Sequence, residues 1–440
     1  MNKAKFALVM LAFLQVFAQG CSGGKSAAPT GGEDAAGKPA EPAPPVELVF
    51  HGTKTSQTEE FFMQNFGNFI NKKFPNVKLK YFPTTAQIGT KQLLAAGEKI
   101  DVMLVSAGSI SQMVLDNNLQ YDITPLVQKY KYDLTRLAPA TIELEKSFGN
   151  GAIYGLPYAT DTLALFYNKS LFDKFGAAYL TNNTSWDDVY NLAQKLTRTE
   201  NGVQYRGFTV QYQHILMLNQ LAVPYQDAKT AKSLLTGDAF TKEMDFVTRM
   251  IKIPGNSWDK NPSAAEFVGS FANETSAMFA GLVGAWFAYQ FKQPGWDIVK
   301  LPQRKEAPNV GPQLYPDYLM LTNMSKNPDA AFQVISSFTT EEYQQQSVRN
   351  GWLPILKDGN KLMGQYAADV KEYGDFSKRN KDFLWTTTAS IPAKSKYDAI
   401  GLKYMNQAYL DIITSRKDLN SALRDAAEAS DKEIAATEGK

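Results

Sequence analysis

The sequence predicts an α/β protein with more than one lobe. Its first folded stretch alternates strand and helix in the order β-α-β-α-β. Its 440 residues are too many for one ordinary core, which points to two or three lobes. A continuously apolar run from Val102 to Val105 suits a parallel strand covered on both faces. A mostly parallel sheet flanked by helices is the expected architecture of each lobe.

The elements follow in order. Lys3 and Lys5 precede an apolar run from Phe6 to Ala18. At about 13 residues this is short for a membrane span, which needs about 20, and right for a secretory signal peptide, expected over 1–20. Cys21 is the only cysteine of the chain, and "AQGC" before and at it resembles the lipobox of bacterial lipoproteins, whose cysteine is lipidated. Several acyl chains on one residue make a durable anchor where a single chain would be marginal. Ser22 to Pro45 has no aromatic or large aliphatic side chain, so it cannot offset its ordering entropy. Residues 21–45 are therefore expected to be a lipidated, disordered tether. Gly32 to Lys38 fits part of a phosphate loop, but no strand precedes it and Pro39 replaces the magnesium-binding hydroxyl.

Folding is expected from Val46. "VELVFHG" is β-rich, and Ser56 with Glu59 reads as a capping box before Phe62, Phe66, Phe69 and Ile70, an amphipathic stripe. "NVKLKYF" alternates as a half-exposed strand, and a helix is expected around Lys91 to Ala96. Further on, Leu163 to Tyr167 reads as a strand and Val189, Leu192, Ala193 and Leu196 as a helical stripe. Asp187 and Asp188 fall in that helix's first turn, where the dipole favours them, and are read as structural. Asn327-Pro328, a cap followed by proline, starts another helix. In open α/β sheets ligands sit beyond the carboxyl ends of strands, which directs attention to His51-Gly52-Thr53-Lys54 and Ser106-Ala107-Gly108-Ser109.

Composition narrows the function. A net charge of +2 gives no electrostatic reason for a nucleic-acid partner. One cysteine excludes an internal disulfide framework, and two histidines leave little for a metal site; no cofactor or metal is expected. No G-x-S-x-G, H-E-x-x-H or complete phosphate loop occurs, so the chain is not expected to be an enzyme.

The block "IYGLPY…LFYNKSLFDKFG…SWDDVYNLAQKLT" strongly resembles extracellular solute-binding proteins of ABC importers, the carbohydrate-type group that includes maltodextrin-binding protein. "DVMLVSAG", "ETSAMFAGLVGAWF" and "GWDIVKLP…YLMLTNMSKNPDAAFQVISSFTTEEYQQ" agree in order, as do the last helices, so the resemblance runs from about residue 46 to 435. It implies the two-lobed, type II periplasmic-binding-protein-like fold with the ligand in a cleft between lobes. Lobe 1 would comprise 46–159 and 311–350, and lobe 2 would comprise 160–310 and 351–440. It further implies a monomer, tethered through Cys21, that carries a solute to an ABC permease from outside the cell membrane.

By matching positions, the resemblance assigns ligand contacts to His51, Thr53 and Lys54, and to Ser106, Gly108 and Ser109. Asp161 matches an acidic residue that accepts sugar hydroxyls, as an ionised carboxylate can. Trp286 matches the family's cleft tryptophan, and Tyr158 and Tyr397 are further aromatic candidates for stacking on a sugar face. With one carboxylate, one lysine, hydroxyls and aromatics, the set favours a neutral polyol. Polyamine, phosphonate, glycerophosphoester and thiamine-like solutes are the alternatives within the fold, and an envelope glycan hydrolase is the alternative outside it.

Overall fold

The computed structural model describes residues 44–149, 151–284, 291, 295–370 and 376–438. The signal peptide, Cys21 and the tether as far as residue 43 lie outside the described residues, as does Trp286. The strands are, in chain order, β1 (Val46–Gly52), β2 (Val77–Phe82), β3 (Val102–Ser106), β4 (Gly155–Ala159), β5 (Leu163–Asn168) and β6 (Arg198–Glu200). They continue with β7 (Val203–Tyr205), β8 (Thr209–Val210), β9 (Met278–Leu282), β10 (Trp296–Lys300) and β11 (Asp317–Leu321).

Two main sheets result, ordered β2-β1-β3-β11-β4 and β10-β5-β9-β8, with β6 and β7 forming a separate hairpin. The β1, β2 and β3 strands are parallel, as their α-helical connections require. The expectation of mostly parallel sheets is corrected: both sheets are mixed. Chain returning from the other sheet enters as β11, antiparallel to β3 and β4, and within the second sheet β9 and β10 run antiparallel to β5.

Both faces of each sheet are covered. In the first sheet, Leu48, Phe50, Leu104 and Leu319 join one apolar cluster while Met103, Val105, Tyr318 and Met320 join another. This is the period-two division of a doubly covered strand. In the second sheet, Leu163 and Leu165 face one cluster and Ala164 and Phe166 the other.

Helix starts follow local chemistry. Ser185 and Asp188 form the capping box of helix Trp186–Leu196, while Asp187 pairs with Lys305 at 2.5 Å. Asn327 is the N-cap residue of helix Pro328–Ser337. The cap near the first helix is Thr58 rather than Ser56, its side chain accepting from the Phe61 N–H at 3.1 Å. The upstream residues are already engaged in a turn, where the Lys54 N–H donates to Gln57 Oε1 and the Gln57 N–H to the Lys54 carbonyl.

The chain passes between the sheets at Thr160–Thr162, again between β10 and β11, and once more beyond helix Glu341–Arg349. These crossovers are joined to one another. Asp161 and Tyr315 exchange both backbone hydrogen bonds, at 3.0 and 2.8 Å, and the Thr160 N–H donates to the Leu353 carbonyl at 3.1 Å.

Candidate functional site

The exits of β1 and β3 and the start of β11 converge because of their pairing. Phe50 lies beside Val102 in the parallel ladder, and Asp317 lies opposite Ser106 in the antiparallel one. Lys54, two residues past β1, therefore reaches Asp317, and its Nζ donates to Oδ1 at 3.0 Å. Burial alone would lower the Lys54 ammonium, but the attraction of Asp317 and its neighbours outweighs this and raises it above its ordinary value.

Tyr315 occupies the centre of this convergence. Burial raises its hydroxyl above the ordinary tyrosine value, with nearby Lys54, Ser106 and Gly108 opposing the rise. A Cβ at Gly108 would stand 2.7 Å from that hydroxyl, so an alanine there would oblige the Tyr315 side chain to shift. Ser106 Oγ also lies 3.4 Å from Ser109 Oγ. On the opposite side His214 meets the Tyr315 ring edge-on, with centroids 5.3 Å apart. Burial, assisted by Lys54, pushes the His214 imidazole down to about 3, so it is neutral at physiological pH. Its Nδ1 has no hydrogen-bond partner among the described residues.

Asp161 is held at the neck between the sheets. Oδ1 accepts N–H donors from Thr162, Val283 and Gly284 at 2.8, 2.9 and 3.1 Å, and Oδ2 accepts only from Gly284, at 3.1 Å. Burial pushes the carboxyl up to about 7 despite those donors. The residue thus ties a crossover to the exit of β9, and among the described residues Oδ2 has the single donor Gly284.

A second charged group closes the same cleft from helix Asp398–Ile413. Lys394 lies 3.6 Å from Asp398, whose Oδ2 accepts from the Tyr225 hydroxyl at 2.5 Å. Gly108, Met217, Gln313, Tyr315, Lys394 and Asp398 line a residual space of about 20 Å³, which the surrounding side chains otherwise fill.

The remaining expected residues go elsewhere. Both His51 ring nitrogens are engaged within the protein, Nδ1 with the Phe82 carbonyl at 2.9 Å and Nε2 with Thr90 Oγ1 at 3.0 Å. Thr53 Oγ1 donates to the Leu104 carbonyl at 2.7 Å. The Tyr158 ring is buried against Phe66 and Trp352 in the first sheet's core. Tyr397 packs with Ala231 and Ile434 in a small satellite cluster. The space beside Gly52 belongs to the Tyr81 hydroxyl, 2.0 Å from where a Cβ would stand. Lys54, Ser106, Gly108, Ser109 and Asp161 are the expected residues that do converge. Sequence reasoning missed Tyr315, Asp317, His214, Tyr225, Lys394 and Asp398. The polar-aromatic "QLYPDY", which runs into β11, was the readable signal for the first two. Among the described residues, no group of three or more His, Cys, Asp or Glu could hold a metal ion.

The family model described as bacterial extracellular solute-binding protein matches residues 52–345. The chain is 24% identical over 457 residues to an uncharacterized ABC transporter extracellular-binding protein of Pyrococcus horikoshii, covering 97% of this chain and 95% of that protein. It is 27% identical over 252 residues to an arabinooligosaccharide-binding protein of Bacillus subtilis, covering 56% of this chain and 53% of that one. Among solved structures, an ABC substrate-binding protein of Listeria monocytogenes in complex with cycloalternan has a TM-score of 0.68 at 18% identity. That superposition covers 89% of this chain and 99% of the other, and it shows a shared fold.

Proposed function

Since this chain belongs to the bacterial extracellular solute-binding protein family, we propose that it captures a neutral sugar or oligosaccharide in its cleft and delivers it to the permease of an ABC importer. The family works outside the cytoplasm and binds solutes rather than transforming them.

The observation that carries the neutral-solute reading is the cleft's charge balance. Each cleft lysine has its own aspartate, Lys54 with Asp317 and Lys394 with Asp398. His214 is neutral, and Asp161 is raised to about 7. A polyamine would need unpaired carboxylates and a phosphonate would need an unpaired cation or helix start. What this cleft offers instead is hydroxyls, backbone N–H groups and aromatic edges, the chemistry that reads a polyol. The names of relatives support the same class, arabinooligosaccharide for the Bacillus protein and cycloalternan for the Listeria one.

In this reading Tyr315 and Ser106 meet the solute from the first sheet, with Ser109 and Lys54 beside them. Asp161 Oδ2 and His214 Nδ1 meet it from the second. Trp286 adds a stacking face by its resemblance to the family's cleft tryptophan. The lobes are 46–159 with 311–350 and 160–310 with 351–440, and the crossovers between them are the hinges. Lipid on Cys21 and the tether behind it keep the monomer near its permease. A thermal-shift screen over neutral mono- and oligosaccharides, spermidine, a phosphonate, a glycerophosphoester and thiamine tests the ligand class. A saturating ligand stabilises by RT ln(1 + [L]/Kd), and the expected hits are carbohydrates.

A further inference from the structure

Behind the crossovers lies a cavity of about 450 Å³, within the size range of small-molecule sites and far larger than the space beside Tyr315. Thr160 and Thr162 line it, whereas Asp161 between them turns to Gly284. Pro312 also lines it, whereas Gln313 and Tyr315 line the cleft. Side chains alternate along extended chain, so the cavity sits on the opposite side of the crossovers from the cleft residues.

Its walls are fixed to the crossovers by backbone hydrogen bonds. On one side the Ala138 N–H donates to the Ile355 carbonyl at 2.8 Å and the Lys357 N–H to the Arg136 carbonyl at 2.9 Å. On the other, the Gly311 N–H donates to the Thr387 carbonyl at 2.9 Å and the Ala389 N–H to the Gly311 carbonyl at 3.0 Å. Trp385 is held in the second wall by its Nε1–H, which donates to the Leu301 carbonyl at 2.9 Å. The lining combines this indole and leucine side chains with hydroxyls, and the charges at Glu143 and Lys357 are of opposite sign. The Thr160 hydroxyl is buried and makes only a 3.4 Å contact with the Asp161 carbonyl, which leaves it free for a better partner.

We propose that this cavity is a second binding site, for a small neutral ring compound that carries a hydroxyl group. The indole and leucines take the ring, and Thr160 takes the hydroxyl. Thr160, Thr162, Pro312 and Trp385 border this cavity and not the space beside Tyr315, while Leu314 borders both.

Benzyl alcohol and cyclohexane-1,2-diol serve as probes, titrated against the mature protein by ligand-detected NMR. Ala140→Trp and Thr388→Trp fill the cavity from opposite walls, and Thr160→Val removes one hydroxyl at nearly constant shape. At least one probe is expected to bind saturably to wild type. Affinity should fall about tenfold or more in either tryptophan variant and about 2- to 10-fold in Thr160→Val. No saturable binding of either probe to wild type overturns the proposal, and so does binding that survives filling from both walls. Should a filled variant fail to fold, wild-type affinity in Thr160→Val overturns it alone.

Discussion

Lys54 and Asp317 form a 3.0 Å ion pair across the mouth of the first sheet although 263 residues separate them. The Asp317 side chain is only 9% exposed, so losing Lys54 strands a carboxylate away from water. Because Lys54 itself is 30% exposed, the full cost of breaking a buried pair is reduced by solvent. Lys54→Met is expected to destabilise the protein by about 1–3 kcal/mol, and Asp317→Leu added to it should restore most of that loss. Urea denaturation of the single and double variants measures the coupling. Additive effects would mean that the pair is not an energetic unit.

Gly108→Ala isolates the fit of Tyr315. The added Cβ would come within 2.7 Å of the Tyr315 hydroxyl and force it to move. Solute affinity should fall about 2- to 10-fold, the loss of one neutral hydrogen bond, with the melting temperature nearly unchanged. An affinity equal to wild type would mean that the hydroxyl's position is irrelevant to binding.

Glu145 makes stability depend on pH. It is buried in helix Pro139–Phe148, where Oε2 accepts N–H donors from Tyr154 and Gly155, and burial pushes its carboxyl up to about 7. A carboxyl raised above its unfolded value holds its proton more tightly in the folded state. Its contribution is therefore full below about pH 4.5 and is lost as pH rises through about 7. Glu145→Gln keeps an acceptor for both N–H groups and removes the charge. It should stabilise the protein at pH 8 by up to about 3 kcal/mol, do little at pH 5, and flatten the profile between them. An equal effect at both pH values would show that Glu145 does not titrate in this interval.

Local pattern made the first sheet legible. Alternation in "NVKLKYF", the apolar run at Val102 to Val105 and the Asn327-Pro328 start each correspond to an observed element. These features are set by neighbours in sequence. The antiparallel entry of β11 was not readable, because it depends on which strands adjoin a returning chain. With it went Asp317, whose place beside Ser106 exists only in that register. Tyr158 and Tyr397 were chosen for ring chemistry, but both rings carry enough apolar area to be drawn into packing instead. His51 illustrates the same limit: its strand places it at the cleft's edge, and Phe82 and Thr90 then occupy both nitrogens.

The anchoring proposal rests on Cys21 alone. Cys21→Ala should release mature protein into the medium or leave an unprocessed precursor, since no other cysteine can take the lipid. A processed variant that still requires detergent for extraction would contradict it. Deleting residues 25–45 should leave solute affinity unchanged, because the cleft is built wholly from residues beyond them.

We propose that a neutral carbohydrate binds where Tyr315, Ser106 and Asp161 converge. The most direct test is calorimetric titration of the most stabilising neutral saccharide into wild type and Tyr315→Ala. Wild type is expected to bind with a Kd of about micromolar or tighter, weakened about 10- to 100-fold by loss of the ring and its hydroxyl. Wild-type affinity in Tyr315→Ala would contradict the site. Saturation by a charged solute, with none by any carbohydrate, would contradict the ligand.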